Sequence, residues 1–354
     1  MTNYIIRRIL IIPLILFGVT ALIFGMLSFL SPTERSALYV RDIPHNPAAL
    51  DGIIKRYGLA DPIPVQYWHW LVGIKDPETG VVIGGILRGD FGFSRSQSQP
   101  VIDLIRRRFP ATVELALYSI VPIIGIGVWL GIVAAVNHNK LIDQLARVFA
   151  IMGYSLPSFI LGLLLLMLLY ARNGWFPPGR VSDWASALIQ SSAWHSYTGL
   201  VTVDAVLNGN IPVLLDGWRH LFLPVITLSL ISWATFLRVT RSSMLETLRQ
   251  EYVTTARAKG LKEKDVVGGH ARPNALIPVA TLGGFTVAAL LGGAVFTETI
   301  FNFPGIGQAA GAAAAQLDVV TVLALTLLSG LILILANLVV DVMYGVLDPR
   351  VRLG

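Results

Sequence analysis

The sequence predicts an all-α membrane protein with six transmembrane helices, and three observations lead there. Hydrophobic residues make up 54% of the 354 positions and charged residues only 14%, against roughly 25% charged in an average soluble domain. Apolar runs recur at 9–30, 111–136, 145–170, 221–237, 275–297 and 319–347, and about 20 apolar residues suffice to cross a bilayer. None of these runs alternates apolar and polar residues as a membrane barrel strand does. A backbone in lipid must satisfy its own hydrogen bonds, so the runs are expected to be helices.

The first run follows Arg7 and Arg8 and ends at Ser31-Pro32. At about 22 residues it exceeds the 7 to 15 of a secretory signal core, so it reads as a retained span. Between it and the second run lies a large segment, 31–108, which the six-span reading places outside the cell. The expected division is therefore 1–108, a helix plus extracytoplasmic segment, and 109–354, a five-helix core. That segment and a second one, 171–220, hold phrases such as DPIPVQYWHW, RGDFGFSRS and NGWFPPGR. Their Pro, Gly, Trp and Tyr content predicts compact loops with aromatic groups near the headgroups or against a ligand.

Orientation follows from basic residues in short loops. With the N-terminus inside, the inner segments carry Arg7 and Arg8, Lys140 and Arg147, a run from Arg238 to Arg272, and Arg350 and Arg352. The outer segment 31–108 is too long for the rule to apply and balances ten basic residues with eight acidic ones. Both termini are thus expected in the cytoplasm, although Arg106, Arg107 and Arg108 argue the other way. The net charge of +6 fits such loops, and no nucleic-acid-binding motif accompanies it. With no cysteine in the chain, disulfides and thiolate metal sites are excluded.

The loop 243–275 between the fourth and fifth runs holds the densest charge. Leu245, Leu248, Tyr252 and Ala256 follow helical spacing, which predicts a helix over 243–259 with one apolar face. Gly260 would end it as a C-terminal cap, with Arg257 and Lys259 in the last turn. A second short helix would start near Lys262, with Glu263 and Asp265 in its first turn, before Pro273 and Pro278 bend the chain. Such an element fits a solvated connector, a basic anchor on anionic lipid, or a docking surface for a cytoplasmic partner.

Here the chain resembles a family. Thr254-Thr255-Ala256, three residues, Gly260 and later Pro273 are similar to the loop signature of binding-protein-dependent ATP-binding-cassette importer permeases, usually Glu-Ala-Ala, three residues, Gly. Thr254 and Thr255 depart from it, and Arg272 precedes Pro273 where Leu is usual. RRIL, GDFGFS, RFPATVELAL, GYSLPSFILGLLLL, GWFPPGR, ETIFNFPGIG and DPRVR stand in order as in the first permease of the dipeptide and oligopeptide branch. The resemblance implies the type I importer permease fold in a prokaryotic inner membrane. It also implies a second homologous permease, two ATPase subunits, an extracytoplasmic binding protein and a peptide cargo, with nickel or oligosaccharide carried by some of the branch. The loop would be a coupling helix: Leu248, Tyr252 and Ala256 would enter a groove on the ATPase, Gly260 would make the turn, and Arg257, Lys259 and Asp265 would touch the rim.

The residues give no sign of catalysis in this chain. A phosphate loop needs Gly, four residues, Gly, Lys and Ser or Thr, and no such string occurs; the six histidines include no HExxH pair. No cofactor is expected here, and ATP and magnesium would sit on the partner subunits. Ala280, Gly284, Ala288 and Gly292 form a stripe of small residues that would let helices approach closely, within this chain or against a second permease. Glu114, Arg238, Glu298 and Asp341 fall near predicted span ends, where snorkelling is the expected fate. A secondary carrier, channel or non-transporting receptor are the rival readings; the first two lack the buried midplane charge or broken helix they need.

Overall fold

A computed structural model describes residues 2–40, 44, 46–76 and 80–347. Arg41, Asp42, His45, Glu78, Arg350 and Arg352, and the side chains of Arg7 and Arg8, lie outside the described residues. The chain begins with α1 (Thr2–Ser28) and a segment bearing α2 (Pro32–Arg35), α3 (Pro47–Arg56) and α4 (Ile63–Val72). Two small antiparallel hairpins follow. β1 (Ile74–Lys75) pairs with β2 (Val82–Ile83), Ile74 opposite Ile83, and β3 (Phe93–Ser94) pairs with β4 (Gln99–Pro100), Phe93 opposite Pro100. Next come α5 (Val101–Val136), α6 (Leu141–Ser155) and α7 (Ser158–Leu165), then a second segment with α8 (Asp183–Ile189) and α9 (Val201–Leu207). α10 (Ile211–Thr247) leads to three short helices, α11 (Glu251–Ala258), α12 (Glu263–Asp265) and α13 (Arg272–Ala275), and to α14 (Ile277–Leu291). The chain closes with α15 (Val295–Ile300), α16 (Ile306–Ala315) and α17 (Val319–Leu347).

Among the described residues, four helices are long and apolar enough to span a membrane: Leu10–Ser28, Val101–Val136, Ile211–Thr247 and Val319–Met343. The third and fifth expected spans are bent pairs instead, Leu141–Gly153 with Ser158–Ala171 at 97° and Glu263–Ala275 with Ile277–Leu291 at 50°. Pro157 explains the first break. It has no N–H to donate, and it forces Leu156 into an extended conformation, φ −100° and ψ 115°. Two helices overrun their predictions. At 1.5 Å per residue the 36 residues of α5 and the 37 of α10 measure about 54 and 55 Å, well beyond the roughly 30 Å of hydrocarbon. α5 therefore runs unbroken through the expected boundary at 108 and 109.

α5 packs along α10, and two glycines allow a close approach. A Cβ on Gly127 would sit 2.5 Å from Phe236 Cβ, and one on Gly131 would sit 2.5 Å from Thr240 Cβ and 2.9 Å from the Leu237 carbonyl. Small residues four apart let backbones meet where packing drives association. α6 joins the same contact, its Ala150 packed with Ala234 and Leu237.

The two ends of the bundle differ. Long segments gather at one, the loop end, and carboxylates buried there fasten them. Glu114 accepts from Arg180 Nε (2.9 Å) and Nη2 (2.7 Å), and from the Thr202 amide (2.7 Å) and hydroxyl (2.6 Å). Glu298 accepts from the Gln308 amide (2.8 Å) and the Thr112 hydroxyl (3.1 Å), which itself accepts from the Ile306 amide. Asp318 gathers Ser94, Ser96 and Thr321. Glu114 and Glu298 were expected to snorkel, yet they are 1% and 0% exposed. The correction has a physical cause: each carboxylate has enough N–H and O–H donors, from other elements of the chain, to replace water. Arg238, by contrast, is exposed and Asp341 half-buried.

Candidate functional site: a hairpin at one end and a groove beside it

At the opposite end, the hairpin end, α10 stops at Thr247 and the chain turns through 248–250 before α11 begins. The helix expected over 243–259 is therefore broken, with Gln250 extended at φ −72° and ψ 149° as the N-cap of α11. Gly260 does close α11. Its φ is +78°, a left-handed value that favours glycine, and the amide of Leu261 donates to Ala256 O while that of Gly260 donates to Arg257 O. These paired bonds form a Schellman motif. Lys262 then caps α12, whose first turn carries Glu263 and Asp265. Pro273 sits in the first turn of α13 and Pro278 in that of α14.

The expected apolar face divides. Ala256 and Val253 are buried in a cluster with Ala135, Met244, Val266, Ala271 and Ala275, and Leu248 packs against it. These side chains hold the hairpin onto the ends of α5 and α10, so Ala256, expected in a partner's groove, is turned into the chain's own core, while Leu248 is half-buried at its margin. Tyr252 faces out, 44% exposed, as does Leu261 at 43%, together with Thr255, Lys259, Gly260 and Asp265. Val253 was not singled out because its apolar partners, α13 and the end of α5, are remote in sequence.

Arg257 turns back into the hairpin. It forms a two-pronged pair with Glu263, Nε to Oε2 at 3.1 Å and Nη2 to Oε1 at 2.7 Å, and reaches the Leu248 carbonyl at 3.4 Å. One guanidinium thus ties the end of α10 to α11 and α12. The pair holds the Glu263 carboxyl below its usual range and pushes the Arg257 guanidinium up. A deeper pair braces the same end: Asp143, wholly buried, accepts two bonds from Arg241 and one from the Asn139 amide.

Beside the hairpin a groove of about 890 Å³ opens between α5, α14 and α17, within the usual range of ligand sites, about 300–1,000 Å³. Its walls are apolar, with Trp129, Val279, Leu291, Ile332 and Val339 among them, and Arg272 at the hairpin end is the one charged lining residue among the described residues. Of the small-residue stripe, Ala280 and Gly284 line the groove. Gly284 also lies against Val340 of α17, with no room for a Cβ, and Ala288 is buried. Gly292 accepts from the Ser329 hydroxyl at 3.4 Å. The stripe thus faces α17 of the same chain.

Such an arrangement, an apolar groove with a charged hairpin at its foot, suits binding and movement. Comparison with known proteins agrees. The family model described as "binding-protein-dependent transport system inner membrane component" matches residues 127–353, and its N-terminal companion matches residues 1–116. The chain belongs to this family. It is 35% identical over 354 residues to the dipeptide transport system permease protein DppB of Escherichia coli (strain K12), covering 99% of each. It is 37% identical to the di/tripeptide transport system permease protein DppB of Pseudomonas aeruginosa (strain UCBPP-PA14), over 353 residues and 99% of each. The oligopeptide transport system permease protein AppB of Bacillus subtilis (strain 168) is 34% identical over 353 residues, 99% of this chain and 100% of that one. This permease component is thus a multi-pass inner membrane protein, and the all-α membrane-permease class expected from its motifs stands.

Proposed function

We propose that this permease component imports peptides as half of a translocation pathway completed by a second homologous permease. Its full-length likeness to permeases named for dipeptides, tripeptides and oligopeptides supports that cargo class. A binding protein would deliver substrate at the loop end, and two ATPase subunits carrying ATP and magnesium would dock at the hairpin end, so this chain does no hydrolysis itself. The hairpin end faces the cytoplasm, with both termini on that side. The short segments there hold Lys140, Arg249, Lys259 and Lys262, with Arg241 near the end of α10 and Arg272 at the start of α13, as the positive-inside rule requires. The contrary triplet Arg106 to Arg108 lies in the overrun of α5, where Arg108 donates to Gln308 at 2.7 Å and Gln97 at 3.3 Å.

One observation carries the mechanism. The hairpin exposes Tyr252, Lys259 and Leu261 while its buried face grips the ends of α5 and α10 and its chain runs on into α14, a wall of the groove. A push on that exposed rim would reach the groove through packed side chains, alternating its access. Docking would rest on Tyr252, Thr255, Lys259, Leu261 and Asp265, with Gly260 setting the turn and Arg257 fixing the hairpin's shape.

Uptake of a labelled dipeptide into cells carrying Gly260→Arg tests it. The side chain adds bulk and charge at a position of positive φ. Uptake is expected to disappear while membrane insertion stays normal; uptake at the unmodified rate overturns the docking role. Loss of nickel or oligosaccharide uptake, with peptide uptake intact, in cells lacking the chain overturns the cargo class.

A further inference from the structure

The segment between α1 and α5 contains one helix unlike its neighbours. α3 carries Asp51, Lys55 and Arg56 on exposed positions, as a helix in water does. α4 reads IPVQYWHWLV, with no Asp, Glu, Lys or Arg. Its one amide side chain, Gln66, is turned inward, where it accepts from Arg35 at 2.6 Å and donates to the carbonyls of Leu59 (3.1 Å) and Asp61 (2.6 Å). What α4 presents outward is Ile63, Val65 and Trp68, 43%, 41% and 60% exposed.

Two spans serve as rulers for the depth of α4. The span Leu10–Ser28 is about 28 Å long at 1.5 Å per residue, close to the roughly 30 Å of hydrocarbon, so Ser28 marks the edge. Tyr67 of α4 hydrogen-bonds Thr20 at 2.8 Å and packs edge-on to Phe17 and Phe24, and Trp70 lies 5.4 Å from Phe24. Thr20 and Phe24 are about 12 and 6 Å inside that edge. The second ruler agrees. Trp70 shares a buried cluster with Leu327 and Leu323, about 12 and 6 Å inside the start of the span Val319–Met343. α1 beside it shows lipid with Leu22 and Met26, 66% and 58% exposed, so the apolar face of α4 continues a lipid-facing surface.

We propose that α4 is embedded in the leaflet at the loop end, with Val65 and Trp68 among acyl chains, and anchors the 31–100 segment to the membrane. The depth matches that of an interfacial helix, about 5–10 Å below the headgroups. Aromatic belts supply Trp at that level, and the inward hydrogen bonds of Gln66 remove the polar group that lipid would reject. The proposal stands on α1 and α17 being spans and is independent of cargo and coupling.

Because the chain has no cysteine, single cysteines report on it cleanly. Val65→Cys and Trp68→Cys, with Asp51→Cys as the water-exposed reference, are introduced into the whole assembly. They are then labelled in membranes with a charged, membrane-impermeant maleimide and read on this chain's band. Bimane attached at each site is next tested for quenching by lipids bearing a nitroxide high on the acyl chain. Expected are labelling at positions 65 and 68 at least about tenfold slower than at 51 and strong quenching by the lipid nitroxide, since the hydrocarbon excludes the charged reagent. Labelling as fast as at 51 overturns the proposal, because α4 is then in water. Slow labelling without quenching also overturns it, because protein then covers the face.

Discussion

At the loop end, Glu114, Glu298 and Asp318 are out of water and each is held by several donors; at the hairpin end, the buried Asp143 apart, most charges stand in water and a solvent-exposed pair, Arg257 with Glu263, spans the turn. Glu114, Glu298 and Asp318 join segments dozens to hundreds of residues apart, whereas Arg257 and Glu263 are six residues apart. The first kind of bond fixes a frame, since breaking it strands a buried charge. The second kind sets a local shape and costs little to open. A membrane component that must receive a moving partner at one end and keep its loops in register at the other needs both.

The sharpest way to break that comparison is Glu114→Ala. It leaves Arg180 mostly buried and unpaired, and removal of one partner from a buried pair costs about 3–5 kcal/mol. The thermal midpoint of the purified chain in detergent should fall steeply; an unchanged midpoint would remove Glu114 from the frame. Gly131→Ala comes next. Its Cβ would press on Thr240 and the Leu237 carbonyl, and overpacking of this kind costs about 1–3 kcal/mol. Gly125→Ala, which meets nothing within 4 Å, should leave the midpoint alone and so serves as its control. Gly260→Ala should cost about 1 kcal/mol for the left-handed backbone, and its effect should be larger on peptide uptake than on the midpoint.

Arg257→Ala should be the mildest, at most about 1 kcal/mol, because the pair is exposed. Its pH dependence has a definite sign. The Glu263 carboxyl is held below its usual value in the folded chain, so the pair contributes at neutral pH and above the unfolded glutamate value, and the contribution is lost as pH falls through the folded one. Midpoints of the variant and the parent should converge in acid; a gap that persists there would mean that Arg257 acts through the Leu248 carbonyl alone.

Much of the fold was legible because apolar runs report spans and loop motifs report their order. Hydropathy could not show that α5 and α10 continue beyond lipid, since Arg106 to Arg108 and Asp216 to His220 look like the end of a run when read without partners. It missed the break at Pro157 because apolar residues flank it on both sides. Gly260 was readable, its cap being local. The inward turn of Ala256 and the burial of Glu114 and Glu298 were not, because Ala135, Thr202 and Thr112 reach them only through the fold. The pair Gly127 and Gly131 stands in the sequence as GVWLG, two glycines four apart in a run that offers many small residues.

The two glycine contacts of α5 with α10 are off-centre. Phe236 and Thr240 lie about 14 Å from the hairpin end of α10 and about 40 Å from its other end at Ile211. Were α10 to tilt about those contacts as one body, it would act as a lever with unequal arms. A displacement at the short arm, beside the hairpin, would then appear about threefold larger at the long one, where Asp216 holds Ser182.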